Sequence, residues 1–267
     1  MTPPLRIALL QGPGGVPADA GESVAALEAA AGRAAAAGAR LLVTAELFLT
    51  GYAVGDRMSA LAEAAGGPSA RRIAGIAARH RIGIAYGYPE RDGEAVFNAV
   101  RLVGPDGGVL ADYRKTHLFG DFEKAAFTAG AEPVVQADLD GIRIGLLVCY
   151  DIEFPETVRA HALAGTQLLV VPTALMRPYE FVPQVLVPAR AYENGLHLAY
   201  ANRRGPEGEF DFAGLSCLAG PDGVVRARAG AGDELLVADA DPALIDAARA
   251  ETPYLADRRP ELYRSLG

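Results

Sequence analysis

Cysteine is almost missing from this chain. Cys149 and Cys217 are the only two in 267 residues, so no disulfide framework can be assumed. Histidine is scarce as well. His80, His161 and His197 show no ligand spacing with the cysteines or with one another, which argues against a zinc site, and no other cofactor is called for. No apolar run approaches the ~20 residues needed to span a bilayer. The opening Met1-Thr2-Pro3-Pro4-Leu5-Arg6 lacks the charged region and long apolar core of a signal peptide. A reducing cytoplasm, which keeps a reactive thiol available, is the expected location. Excess positive charge is missing too. A net charge of −8 disfavours nonspecific binding to nucleic acid or to anionic membranes, and Arg203-Arg204 and Arg258-Arg259 are too few to change that. Gln11-Gly12-Pro13-Gly14-Gly15 lacks the lysine of a phosphate loop and reads as a turn.

What the chain does have is an apolar fraction of 51%, ample for a core, and an order that repeats. Arg6-Ile7-Ala8-Leu9-Leu10 is echoed by Arg143-Ile144-Gly145-Leu146-Leu147. Gly38-Ala39-Arg40-Leu41-Leu42-Val43 is echoed by Gly165-Thr166-Gln167-Leu168-Leu169-Val170, and Ile82 to Tyr86 by Leu196 to Tyr200. Two Gly-Pro-Asp-Gly turns, at 104–107 and 220–223, each separate strand-like runs, as hairpin turns do. Helices are expected at about Glu22–Ala37, Pro68–His80, Pro155–Ala164 and Val182–Asn194, the last with Pro188 as a potential kink. Each half reads βαβαββ, and two such halves stacked sheet on sheet give an α/β, four-layer αββα sandwich. No linker divides them, so residues 1–267 read as one domain, with an extended arm from about Glu251.

The polar residues at strand ends carry the chemistry. Leu146-Leu147-Val148 ends in Cys149, where a rigid strand offers a side chain to solvent. A thiol there is a nucleophile if a base or cation favours the thiolate, and an inert packed cysteine otherwise. Glu46 follows Leu41 to Ala45, and Lys115 follows the hairpin strand Val109 to Tyr113. Converging in one crevice, the glutamate could move the thiol proton and the lysine could stabilise an oxyanion. Cys217 lies in a strand-like run and reads as packed. Asp151 and Glu156 read as partners for local N–H groups at a helix start, and His117 as a residue that orients the loop bearing Lys115.

These three segments resemble the motifs of the nitrilase superfamily of carbon–nitrogen hydrolases: Leu41 to Tyr52, Tyr113 to Phe119, and Cys149-Tyr150-Asp151 with Phe154-Pro155-Glu156. The resemblance runs almost end to end; Ala53, where many relatives have proline, departs from it. It implies a catalytic Glu46, Lys115 and Cys149, with Glu123 as a second pocket glutamate. It also implies substrate contacts at Tyr52, Tyr150, Thr173 and Ala174, and a homodimer or larger homo-oligomer. The implied partner is a small-molecule amide. Tyr150-Asp151 in place of the Trp-Glu common in nitrile-cleaving members points to an amidase acting through a cysteine thioester. The position that often carries arginine in members acting on acidic amides holds Glu153, so a neutral or amine-bearing carboxamide is expected, unless Arg177 supplies a cation. An N-carbamoyl amide (ureide) hydrolase using the same triad is the alternative, and a silent binding protein of the same fold a weaker one.

Overall fold

The computed structural model describes residues 2–263. In the first half, strands β1 (Leu5–Gln11), β2 (Leu41–Val43), β3 (Glu63–Ala64), β4 (Gly83–Asp92), β5 (Ala95–Val103) and β6 (Val109–Arg114) alternate with helices α1 (Ala20–Ala36), α2 (Arg57–Leu61) and α3 (Pro68–His80). Helix α4 (Gly120–Ala126) then leads to β7 (Val135–Leu139), β8 (Ile142–Leu146), α5 (Pro155–Leu163) and β9 (Leu168–Thr173). A wide π-type turn, Val182–Leu186, runs into α6 (Val187–Asn194). The chain continues through β10 (His197–Asn202), the hairpin β11 (Arg204–Glu207) and β12 (Phe210–Ala213), then β13 (Cys217–Ala219), β14 (Val225–Arg228) and β15 (Glu234–Ala240). Helices α7 (Pro242–Glu251) and α8 (Tyr254–Asp257) follow.

The two halves build the same sheet. One has the order β15-β1-β2-β4-β5-β6, the other β7-β8-β9-β10-β13-β14. In each, three parallel strands (β1, β2, β4 and β8, β9, β10) are followed by an antiparallel pair. In each, one further antiparallel strand, β15 or β7, closes the other edge. Helices cover the outer faces, which makes the αββα sandwich.

Strand periodicity explains the layering. Leu5, Ile7 and Leu9 of β1 share a core with Leu146, Leu168 and Val170 of the opposite sheet. The intervening Ala8 and Leu10 pack instead under α1 and α3, against Leu27, Ala30, Ile73 and Ile76. Strands buried on both faces read as unbroken apolar runs, and each such Leu or Ile contributes roughly 1.5–3 kcal/mol of burial. Capping follows sequence: the Asp19 carboxylate accepts the Glu22 amide at the start of α1, and Pro68 and Pro155 occupy the first positions of α3 and α5. Pro188 lies in the first turn of α6, where the π-type turn gives way to the helix. The segment after Glu251 forms α8 and a short 3-10 turn. Tyr254 of α8 packs edge-on against Tyr192 of α6 at 5.7 Å between centroids. The end of the expected arm, 264–267, lies outside the described residues.

Candidate active site

Three strand exits meet between the sheets. Past β2 the chain turns at Leu47, a non-glycine in the left-handed region (φ 48), and so presents Glu46. Strand β4 passes this turn at Gly87, where a Cβ would lie 2.5 Å from the Ala45 carbonyl and 2.7 Å from the Leu47 nitrogen. Only glycine fits there. Past β6, the Lys115 amide donates to the Asn98 carbonyl at 2.8 Å. Past β8, Cys149 also has a positive φ of 46 and opens a 3-10 turn, Cys149–Glu153. Left-handed backbone at such residues costs about 1–3 kcal/mol each and persists only where its surroundings hold it.

Those surroundings are identifiable. Asp151, fully buried, accepts from the Tyr113 hydroxyl (2.9 Å), the Thr116 hydroxyl (2.9 Å), the His117 amide (2.9 Å) and the Val148 amide (3.0 Å). His117 Nδ1 lies 2.9 Å from the same carboxylate, and its ring stacks on Phe154 at 4.0 Å. Asp151 therefore ties the loop bearing Lys115 to the turn bearing Cys149. From α6, Arg190 braces the same turn by donating to the carbonyls of Ile152 (3.1 Å) and Glu153 (2.9 Å).

Lys115 is the hub of a sealed charge cluster. Its Nζ donates to Glu46 Oε1 and Glu123 Oε1, both at 2.7 Å, and all three side chains are fully buried. Glu46 Oε1 also accepts from Asn98 Nδ2 at 2.6 Å. Glu123 Oε1 accepts from the Tyr52 hydroxyl at 2.8 Å, and its Oε2 from the Phe119 amide at 2.9 Å. Two carboxylates with one ammonium leave one negative charge out of water, a state the interior disfavours. Burial accordingly pushes the Glu46 carboxyl up to about 7, against the pull of Lys115, with Glu123 adding to the rise. Glu46 Oε2 is buried with no hydrogen-bond partner among the described residues. The Cys149 thiol is raised well above its ordinary value, first by burial and next by Glu46; Lys115 and the Ala174 amide oppose this. The resting site therefore holds a thiol beside a carboxyl that titrates near neutrality.

Cys149 lines a cavity of about 220 Å³ with Tyr52, Phe119, Tyr150, Glu153, Ala174, Leu175, Met176 and Tyr179. Larger concavities, about 570 Å³ beside Glu90 and Arg114 and about 520 Å³ beside Gln11 and Arg33, hold no cysteine. Of the residues singled out from sequence, Tyr52, Tyr150 and Ala174 line the cavity with Cys149, and Glu46, Lys115 and Glu123 form the buried cluster, joined to the cavity wall through the Tyr52–Glu123 bond. Thr173 is not in the lining. It is fully buried, its hydroxyl donates to the Val171 carbonyl at 3.1 Å, and its carbonyl accepts from Glu46 and Arg203 amides. Arg177 is turned away into ion pairs with Glu180 (2.6 Å) and Asp211 (3.4 Å). Cys217 is sealed in β13. Sequence reasoning passed over Asn98, although a lone amide inside the buried run Val96 to Val103 signals a polar contact. It also passed over Phe119, Met176 and Tyr179 as cavity walls, for which the sequence holds no signal.

Residues 6–250 match the family model described as carbon-nitrogen hydrolase. A relative described as "Hydrolase in pqqF 5'region", from Pseudomonas protegens, is 50% identical over 231 residues, covering 85% of this chain and 81% of its own. A crystal structure of an amidase from Nesterenkonia sp. superposes with a TM-score of 0.90 at 40% identity, covering 100% of this chain and 98% of that one. A variant of that Nesterenkonia enzyme, solved with the acetamide moiety of fluoroacetamide covalently added at its active-site cysteine, superposes at a TM-score of 0.85 with 39% identity, covering 99% and 97%. The chain belongs to the carbon–nitrogen hydrolase family, the nitrilase superfamily, and stands among that superfamily's amidases.

Proposed function

We propose that this protein is an amidase that hydrolyses a small, neutral or amine-bearing carboxamide to a carboxylic acid and ammonia through a thioester on Cys149. One observation carries the reading: of the two cysteines, both among the described residues, Cys217 is sealed in β13 while Cys149 lines a cavity, near enough to Glu46 and Lys115 for both to act on its thiol. As the sulfur attacks the amide carbon, the thiol proton passes to Glu46. The oxyanion that forms is held by the Lys115 ammonium and by the Tyr150 amide, at the start of the 3-10 turn, where N–H groups have no partner within the turn. Glu46 then returns the proton to the amide nitrogen, the C–N bond breaks, and ammonia leaves a thioester. A water, deprotonated by Glu46, adds to the thioester carbonyl; the C–S bond breaks, the acid departs and Cys149 takes the proton back. Glu123 positions Lys115 and Tyr52. The covalent adduct on the active-site cysteine of the Nesterenkonia enzyme supports the nucleophile.

Cavity size and charge support the substrate class. About 220 Å³ is below the range of drug-sized ligand pockets. Among the described residues of the lining the one formal charge is Glu153, raised from its ordinary value by burial, and Arg177 is held in ion pairs with Glu180 and Asp211. An anionic amide would meet an unpaired carboxylate, at a cost of several kcal/mol. Ammonia release from a panel of neutral amides, carboxylate-bearing amides, ureides and nitriles tests this. Neutral or amine-bearing amides should turn over best; a winning ureide or nitrile would refute the reading. We also propose a homo-oligomer and a reducing, cytoplasmic location. The exposed Leu163, Phe181, Val185 and Tyr192 on and beside α5 and α6 support the first, and the nucleophilic thiol the second. Among the described residues, no helix is long and apolar enough to cross a membrane.

A further inference from the structure

Arg203 and Glu207 form a buried ion pair that the reaction above does not use. They are 5% and 2% exposed, and neither lines the cavity of Cys149. Sealing two charges from water is costly, and such pairs are weak contributors to stability on their own. Their partners show what they hold. Arg203 lies just past β10 and Glu207 ends β11, yet both reach the loop from Glu46 to Ala53. Arg203 Nη1 donates to the carbonyls of Glu46 (3.3 Å) and Leu47 (3.4 Å). Its Nη2 donates to the Gly15 carbonyl (3.2 Å) and to Glu207 Oε1. Glu207 Oε2 accepts from the amides of Tyr52 (2.5 Å) and Ala53 (2.8 Å).

Both ends of one loop are thus tied to one ion pair. The first end carries Glu46, whose carboxylate meets Lys115. The second carries Tyr52, whose hydroxyl meets Glu123. Between them stands the left-handed Leu47, a conformation that relaxes once its supports are removed. The guanidinium also lies over the Phe212 ring at 5.8 Å, and that ring meets Tyr52 edge-on at 5.7 Å.

We propose that Arg203 and Glu207 are positioning residues, a buried clamp that holds Glu46 and Tyr52 in register around Lys115 and so sets the base against the Cys149 thiol. The inference rests on the reading of Glu46 as that base. A planar fork is required, because one guanidinium serves three carbonyls and a carboxylate at once; an ammonium cannot match that geometry.

The test is alkylation of Cys149 by iodoacetamide across pH 5–9, followed by peptide mass spectrometry, with Cys217 as the internal reference and thermal melts run alongside. The chains compared are wild type, Glu207→Ala, Glu207→Gln, Arg203→Lys and a remote core control, Ile245→Val. A base displaced by about 1 Å costs on the order of 100-fold. Glu207→Ala and Arg203→Lys should therefore alkylate Cys149 at least about tenfold more slowly at pH 7, with a displaced pH midpoint. Glu207→Gln, whose single oxygen can serve either Arg203 or the Tyr52 and Ala53 amides but not both, should fall between Glu207→Ala and wild type, and Ile245→Val should match wild type. Folded Glu207→Ala and Arg203→Lys proteins with lowered melting temperatures but wild-type rate and midpoint would overturn the clamp. Should Glu207→Ala not fold, Arg203→Lys decides by the same criterion. Failure of the wild type to release ammonia from any amide would instead remove the amidase reading, leaving the alkylation comparison intact.

Discussion

Lys115→Met replaces the hub of the charge cluster with a chain of similar length and no charge. In the wild type the ammonium sits 2.7 Å from both Glu46 and Glu123 with no solvent access. Removing one member of a buried charge cluster costs about 3–5 kcal/mol, because the partners stay buried and unpaired. For a chain of this size each kcal/mol lowers the melting temperature by about 2–4 °C, so a fall of roughly 6–20 °C is expected at pH 8. The sign of its pH dependence follows from Glu46. Its folded value, about 7, is above its ordinary 4.5, so its contribution to stability is fully present below the ordinary value and is lost as pH rises through the folded one. Lys115 is the main influence holding that folded value down. Without it the value climbs further, the Glu46 carboxyl keeps its proton, and the variant should suffer most at pH 8 and least near pH 5. Melts monitored by circular dichroism at both pH values, beside an amide hydrolysis assay, decide this. A melting temperature within 2 °C of wild type at pH 8 would refute the reasoning.

Other consequences follow from the same geometry. The acid limb of kcat/KM should have its midpoint near 7, the value to which Glu46 is pushed, because the base must be deprotonated to accept the thiol proton; a pH–rate profile of Glu46→Gln should show the limb gone and acylation at least ~100-fold slower. Gly87→Ala would place a Cβ against three backbone atoms of Ala45, Glu46 and Leu47, so it should cost about 1–3 kcal/mol in denaturant melts and lower kcat more than it raises KM. Glu153→Arg should raise kcat/KM for a carboxylate-bearing amide, relative to a neutral amide of equal length, by about tenfold or more.

The sandwich was legible because its central strands are buried on both faces and so read as unbroken apolar runs. Polar residues at the ends of those runs stood out, which is why Glu46, Lys115 and Cys149 could be picked before any contact was known. The edge strands β7 and β15, only partly buried, carry no such pattern and were not separated from loops. Each half also carries more strands after its second long helix than βαβαββ has: β4, β5 and β6 follow α3, and β10, β13 and β14 follow α6 with the hairpin β11–β12 inserted between them. Tertiary partners were the other blind spot. Asp151 does take the local Val148 amide, as a residue at a helix start would, but its stronger commitment is to Tyr113, Thr116 and His117, far away along the chain. Thr173 follows the same logic in reverse: the family resemblance implies a contact with substrate, while the structure uses its carbonyl to receive the Glu46 and Arg203 amides. A sequence shows that a polar residue is present; which of its atoms works depends on backbone direction.

Covalent capture tests the central claim most directly. A slowly hydrolysed amide is mixed with wild-type enzyme, the reaction is quenched in acid, and tryptic peptides are weighed. The account predicts an added acyl mass on the peptide containing Cys149, unmodified Cys217, and no adduct or turnover in a folded Cys149→Ala variant. An adduct confined to Cys217, or ammonia release that survives Cys149→Ala, would contradict it.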